Sequence, residues 1–235
     1  MPKKLNGITL TSVICVLLAP VVIIGCFFLI RGKQYYLASA VIILLALAAL
    51  FASLEKKKLQ TRELVTIACI VALAVAGRAA LFMLPQVKLT CAIVILAAIS
   101  FGPDVGFLCG TLSMLVSNVI FGQGAHTPFQ MFGMGLVAFL CGVLFYKKKS
   151  ARNRWLVAAV GGLLCFAVYG FIVDTSSVLF FARSSDIKAI LAVYASGVSF
   201  NLIHAATTFV TLALFAPYIS ETFERIAKKY ELFGA

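Results

Sequence analysis

Apolar segments of about 20 residues recur along the whole chain, and they constrain its fold more than any other feature. A helix of about 20 apolar residues is long enough to cross the hydrocarbon core of a bilayer. Of the 235 residues, 63% are hydrophobic and only 12% are charged, whereas soluble domains carry about 25% charged residues. The sequence therefore predicts an all-α fold, a polytopic bundle of membrane helices, with no room for a soluble catalytic domain.

The basic residues indicate how the chain is oriented in the membrane. With the N-terminus placed in the cytoplasm, fourteen Lys and Arg residues fall on the cytoplasmic side and five on the outer side. Positive residues accumulate in cytoplasmic loops, so both termini are predicted to lie inside. The eight predicted spans are 7–30, 35–54, 62–84, 88–102, 104–121, 128–146, 155–180 and 187–217.

The charged segment EKKKLQTR, residues 55–62, divides the chain. It separates a two-span preface, residues 1–60, from a six-span body, residues 61–217. In the C-terminal tail, residues 218–235, apolar side chains recur at spacings of four and three, which is typical of an amphipathic helix on the inner membrane face. A soluble extension of the last span is the alternative.

Several kinds of chemistry are excluded by the sequence. The net charge of +12 resides mainly in short loops between spans, so it indicates membrane orientation and not nucleic-acid binding. Seven cysteines occur singly within apolar runs, which favours small apolar side chains over disulfides or metal ligands. GxxxxGK[ST], HExxH and GxSxG do not occur, so no catalytic residue, no metal site and no ATP hydrolysis are predicted.

Polar groups within the body converge on the outer side of the membrane. Arg78, Asn118 and Asp174 each lie toward the outer end of a predicted span, where polar groups usually face a cavity or a partner. Pairing of Arg78 with Asp174 is an open alternative, as is a simple interhelical hydrogen bond for Asn118. Asn201 and His204 lie near mid-membrane and are expected to bond between helices.

The turn FGQGAHTPFQMF, residues 121–132, joins the fifth and sixth spans on the same outer side. Thr127 at the N-cap, Pro128 at the first helical position and Gln130 three residues after the cap predict a capping box. Gln123 and His126 complete a polar cluster suited to a ligand. Capping together with exposure to solvent is the alternative explanation.

Two ladders of small residues run along the body. The glycine ladder, residues 102, 106 and 110, is expected to serve ordinary helix packing. The alanine ladder on the third span is longer and more regular, and it predicts close approach of a partner helix. Its members are Ala68, Ala72, Ala76 and Ala80.

Three segments carry a resemblance to a known family: RELVTIACIVALAVAGRAALFMLP, FGPDVGFLCGTLSMLVSNVIFGQG and HTPFQMFGMGLVAFLCG. The body resembles the substrate-binding S component of energy-coupling factor (ECF) vitamin transporters, most closely those for cobalamin. The resemblance implies a multi-pass protein of the bacterial cell membrane that captures a vitamin from outside. It also implies delivery through a transmembrane T component and two ATPase subunits. The two N-terminal spans are extra to the usual six.

The resemblance further implies roles for particular residues. The alanine ladder is expected to contact the T component, and cobalamin is the expected cargo, with a queuosine precursor or a flavin as alternatives. A stand-alone secondary transporter or channel working through Asp174 and Arg78 is the competing class. The expected ligand-binding residues are Arg78, Phe82, Asn118, Gln123, His126, Thr127, Gln130 and Asp174.

Overall fold

The computed structural model describes residues 59–124, 126–181 and 187–234, which form helices joined by short connections. The predicted preface lies almost wholly outside the described residues. Within them, five helices are long and apolar enough to cross a membrane, and a shorter apolar helix completes the bundle, which confirms the predicted polytopic all-α fold. The helices are α1 Thr61–Ala80, α2 Thr90–Phe101, α3 Pro103–Phe121, α4 Thr127–Phe145, α5 Arg154–Leu164, α6 Phe171–Phe181 and α7 Ile187–Lys229. A π-helical segment, Cys165–Gly170, joins α5 to α6, and the three together count as one span.

The short helix α2 lies at the centre of the bundle and is buried along almost its whole length. A helix that is apolar on every side is expected in such a position. Gly106 of α3 packs on Ala98 of α2, and a Cβ added to Gly110 would lie 2.8 Å from the backbone oxygen of Met134 in α4. The glycines therefore allow close helix packing. Gly102, at a φ of 109°, turns the chain directly from α2 into α3.

The C-terminal tail continues the last span as part of the 43-residue helix α7. Its apolar face packs against the protein: the Phe223 ring lies 5.3 Å from that of Phe101, and Leu232 is buried. The backbone N–H of Phe233 donates to Glu63 Oε1 at 2.7 Å, which ties the tail to the start of α1. The tail therefore continues the last span as one helix and packs this apolar face against the protein. Its contact with the inner membrane face stays a prediction.

The two ends of the bundle differ in charge. One end carries the basic connection between α4 and α5, residues 146–153, together with the C-terminal tail. The other carries the connections between α1 and α2 and between α3 and α4, and also the C-terminal part of α6. Because basic residues accumulate inside, we refer to this second end as the outer end.

Candidate functional site

A buried amide connects three helices at the outer end. Arg78 of α1 donates from Nη1 to Ser117 Oγ and to Asn118 Oδ1 of α3, the latter at 2.8 Å. Asn118 donates in turn from Nδ2 to Thr127 Oγ1 at 3.1 Å and to Gln130 Oε1 at 2.9 Å, both on α4. Asn118 is 0% exposed, and its amide group accepts one hydrogen bond and donates two, all within the protein.

The capping box predicted for α4 does not form. The helix begins at Thr127, one residue before the expected position, with His126 at the N-cap and no capping bond from its side chain. Thr127 Oγ1 instead accepts from the backbone N–H of Gly124 at 3.2 Å and from Asn118. Asn118 thus engages both side chains expected to cap the helix, and the prediction fails because the interhelical contact competes with the local one.

The two remaining polar residues of the turn face away from this network. Gln123 is exposed and donates to the backbone oxygen of Leu115 at 3.2 Å. His126 is also exposed on one side, and partial burial together with the positive charge of Arg78 lowers the pKa of its imidazole. Both effects favour the neutral form of the His126 imidazole.

Phe82 stacks on Phe121, with ring centroids 4.8 Å apart, beside the Arg78 network. The Arg78 guanidinium carbon lies 5.2 Å from the centroid of the Phe121 ring, a cation–π arrangement. A small cavity of about 210 Å³ lies between these side chains and the connection from α1 to α2.

A larger cavity of about 440 Å³ lies between the α1–α2 connection, α4, the π-helical segment, α6 and α7. Of the eight predicted ligand residues, it brings together only Gln130 and Asp174. Arg78 and Phe82 line the smaller cavity, and the other four line neither. The larger cavity is lined by Gln86, Lys88, Gln130, Tyr169, Val173, Asp174, Ser177, Val193, Ser196, Gly197, Phe200, Asn201 and His204.

Asp174 and Asn201 form the polar wall of the larger cavity. Asn201 Nδ2 donates to Asp174 Oδ2 at 2.7 Å across α6 and α7, so the alternative pairing of Asp174 with Arg78 is not realised. Glycine makes room for both side chains. A Cβ on Gly197 would overlap the Asp174 carboxylate, and one on Gly170 would lie 2.7 Å from Asn201 Cγ.

His204 is the residue farthest toward the inner end among those that α7 contributes to the cavity. It is only 3% exposed, and its Nε2 has no hydrogen-bond partner among the described residues. The edge of its ring meets the Tyr169 ring at a centroid distance of 5.2 Å and 88°. A buried, unpaired polar atom costs about 1–3 kcal/mol, so Nε2 is available to a water molecule or a ligand in the cavity.

Lys88 supplies a positive charge to the lining of the same cavity. Its Nζ donates to Gln86 Oε1 at 3.0 Å. Burial, and then the neighbouring charge of Arg78, lowers the pKa of Lys88 to about 8. Lys88 is therefore mostly charged at pH 7, and it lies in the same cavity as the carboxylate of Asp174 without forming an ion pair with it at 4.0 Å or less.

The helices and the cavity define a class of protein: a multi-pass membrane protein with a cavity at its outer end that is lined by polar and apolar side chains. Residues 58–220 match the family described as "ECF-type riboflavin transporter, S component", which covers more than half of the chain. The chain therefore belongs to this family and is a substrate-binding membrane subunit of an ECF transporter, not an enzyme. Comparison with curated proteins and with solved structures gave no match.

Proposed function

We propose that this chain captures a flavin, with riboflavin as the first candidate, and passes it to an ATP-driven ECF module. The description of the family supports this cargo. His204 carries the assignment of the cargo to the larger cavity, because its buried Nε2 has no hydrogen-bond partner among the described residues and its side chain borders this cavity.

The size of the cavity supports a flavin. Its volume of about 440 Å³ lies within the range of about 300–1,000 Å³ typical of small-molecule pockets. The planar heterocycle and ribityl chain of riboflavin suit such a volume. Cobalamin, with a corrin macrocycle and a nucleotide loop, is several times larger, so the cavity favours a flavin over the cargo expected from the resemblance.

The polar groups of the cavity suit one edge of the flavin ring. This edge presents an N–H group between two carbonyl oxygens. The carboxylate of Asp174 would accept from the N–H, while Lys88 and His204 would donate to the carbonyl oxygens. The flat faces of the ring would contact apolar side chains such as Tyr169 and Val173, which also line the cavity. Pockets of this kind are mostly apolar, with a few placed polar groups that fix orientation.

The outer surface of α1 supports coupling to a T component. All four alanines of the ladder are exposed in the structure, on a helix of which only a third of the spanning segment is buried. Small side chains allow the backbones of two membrane helices to approach closely. No phosphate-binding loop occurs in this sequence, so the energy for uptake would come from two ATPase subunits bound through that partner.

Titration of the purified chain with riboflavin, cobalamin and a queuosine precursor tests the cargo. We expect one-to-one binding of riboflavin and at least about tenfold weaker binding to His204→Leu, because a hydrogen bond donated to the ligand is lost. Binding of cobalamin alone would overturn the flavin proposal within the same family. Uptake by the isolated chain in vesicles, without ATPase subunits, would instead favour a stand-alone transporter.

A further inference from the structure

The second large cavity of the described residues lies at the opposite, inner end of the bundle. It encloses about 600 Å³ between the α4–α5 connection and the last part of α7. Five basic side chains and two acidic ones line it, so its charge is strongly positive. The basic residues are Lys147, Lys148, Lys149, Arg152 and Arg154, and the acidic ones are Glu221 and Glu224.

Within the part of the chain that the structure describes, these basic side chains form no ion pairs. In the described ranges, no ion pair of 4.0 Å or less joins the basic residues to Glu221 or Glu224. Lys148 donates only to the backbone oxygen of Val143, at 2.9 Å. The N-terminus of α5, which begins at Arg154, adds the positive end of a helix dipole. A loop that served only to orient the chain would not need to enclose a volume of this size.

Aromatic and apolar side chains place this cavity at the depth of lipid headgroups. Trp155, next to the lining residue Arg154, is 58% exposed, and Tyr218, next to the lining residue Pro217, is also exposed. Tryptophan and tyrosine are enriched at the membrane–water interface. Below them, the exposed side chains of Leu214 and other apolar residues of α5 and α7 offer a surface for acyl chains.

We propose that this cavity binds the phosphate headgroup of an anionic glycerophospholipid from the inner leaflet. Basic pockets between helices on the cytoplasmic side bind such headgroups, and arginine can hold a phosphate through two parallel hydrogen bonds. Bound lipid would join the α4–α5 connection to α7 beside Ser220, whose hydroxyl also lines the cavity. Inorganic phosphate and soluble phosphate esters share this chemistry, so the test must separate them from lipid.

The single tryptophan of the chain makes a direct test possible. The full chain is reconstituted in vesicles of brominated phosphatidylglycerol and, separately, brominated phosphatidylcholine, and quenching of Trp155 fluorescence is measured across mixtures of the two. We expect the anionic lipid to be preferred at this position by at least about fivefold. Equal quenching by both lipids would overturn the proposal and leave an acidic protein partner as the better occupant.

Matched variants connect the preference to the cavity. The triple variant Lys147→Gln, Lys149→Gln, Arg152→Gln should lose the preference, whereas Arg225→Gln, Lys228→Gln, Lys229→Gln removes the same charge from the tail and should retain it. Arg154 is left unchanged because its guanidinium lies 5.2 Å from the Trp155 ring and would alter the fluorescence directly.

Two further arms complete the test. If the triple variant is not monodisperse, the double variant Lys149→Gln, Arg152→Gln replaces it. If the tail variant lost the preference for anionic lipid to the same extent, the preference would follow from net charge. That result would overturn its assignment to the cavity. Abolition of the preference by millimolar glycerol phosphate would identify a soluble phosphate ester as the occupant and overturn the lipid assignment.

Discussion

Arg78 Nη1 and Asn118 Oδ1 lie 2.8 Å apart and join the charged end of α1 to α3. Since Asn118 also donates to Thr127 and Gln130, one amide side chain fixes the relative positions of three helices beside the larger cavity. Gln130 lies in both the network and the cavity wall. The network therefore supports the wall of the larger cavity, and Gln130 connects the network to that cavity.

Removal of this amide should destabilise the protein. In Asn118→Ala, the half-buried Arg78 retains the Ser117 hydroxyl as its hydrogen-bond acceptor. On α4, the Gln130 oxygen loses the bond from Asn118, and Thr127 Oγ1 keeps only the bond from a backbone N–H. Hydrogen bonds to charged groups contribute about 1.5–3 kcal/mol, so we expect the free energy of unfolding to fall by about 2–3 kcal/mol. Thermal unfolding in detergent would show this as a fall in Tm of about 4–12 °C.

Gln123→Ala is the matched control for Asn118→Ala. Gln123 carries the same amide group on the neighbouring turn, but it is exposed and makes one hydrogen bond to a backbone oxygen. We expect no measurable change in Tm. Similar losses for the two variants would show that the Asn118 network does not stabilise the outer end.

The sequence predicts the helices of the described body well and the site only in part. The spans and the helix packing can be predicted because they depend on local composition, namely on the long apolar runs, the basic loops and the glycine ladder. Lys88, Tyr169 and His204 line the cavity but were not predicted to bind ligand. Tyr169 lies in a π-helical segment, a feature often found at functional sites that residue spacing alone does not reveal.

Asp174 is expected to contribute a large part of flavin affinity. Asp174→Asn keeps the shape of the side chain but removes the charged acceptor from the cavity. A hydrogen bond to a charged group corresponds to about 1.5–3 kcal/mol, so the Kd for riboflavin should rise at least about tenfold. Quenching of flavin fluorescence on titration measures this change.

Asp104→Asn provides the control for Asp174→Asn. It makes the same replacement at the start of α3, at the inner end of the bundle and away from the cavity. Its Kd should equal that of the parent chain. An unchanged Kd in Asp174→Asn would remove this carboxylate from the site.

Flavin affinity should depend on pH through Lys88. Its pKa of about 8 means that the ammonium group is present below pH 8 and is lost as the pH rises through that value. The neighbouring charge of Arg78 favours loss of the proton, and Asp174 lines the same cavity without an ion pair to Lys88 at 4.0 Å or less. A ligand that accepts a hydrogen bond from the ammonium group should therefore bind progressively more weakly as the pH rises from 7 to 9.

Two variants isolate the contribution of Lys88 to this pH profile. The side chain in Lys88→Arg stays charged over the whole pH range, so its Kd for riboflavin should not change with pH. Lys88→Met should have a higher Kd than the parent chain at pH 7, and this Kd should also not change with pH. A slope that persists in both variants would assign the titration to another group.

The exposed alanine ladder should be needed for transport but not for binding. Ala72→Leu together with Ala76→Leu places bulky side chains where the backbone of a partner helix would approach, while the protein's own core is untouched because both alanines are exposed. The Kd for riboflavin and the Tm should therefore be unchanged. Co-purification with the ATPase subunits and uptake by cells should each fall at least about tenfold, because close helix packing is blocked. Ala206→Leu makes one such replacement at an exposed alanine of α7, on a different surface, and should leave uptake intact. If the double variant still assembles and transports, α1 is not the surface that contacts the T component.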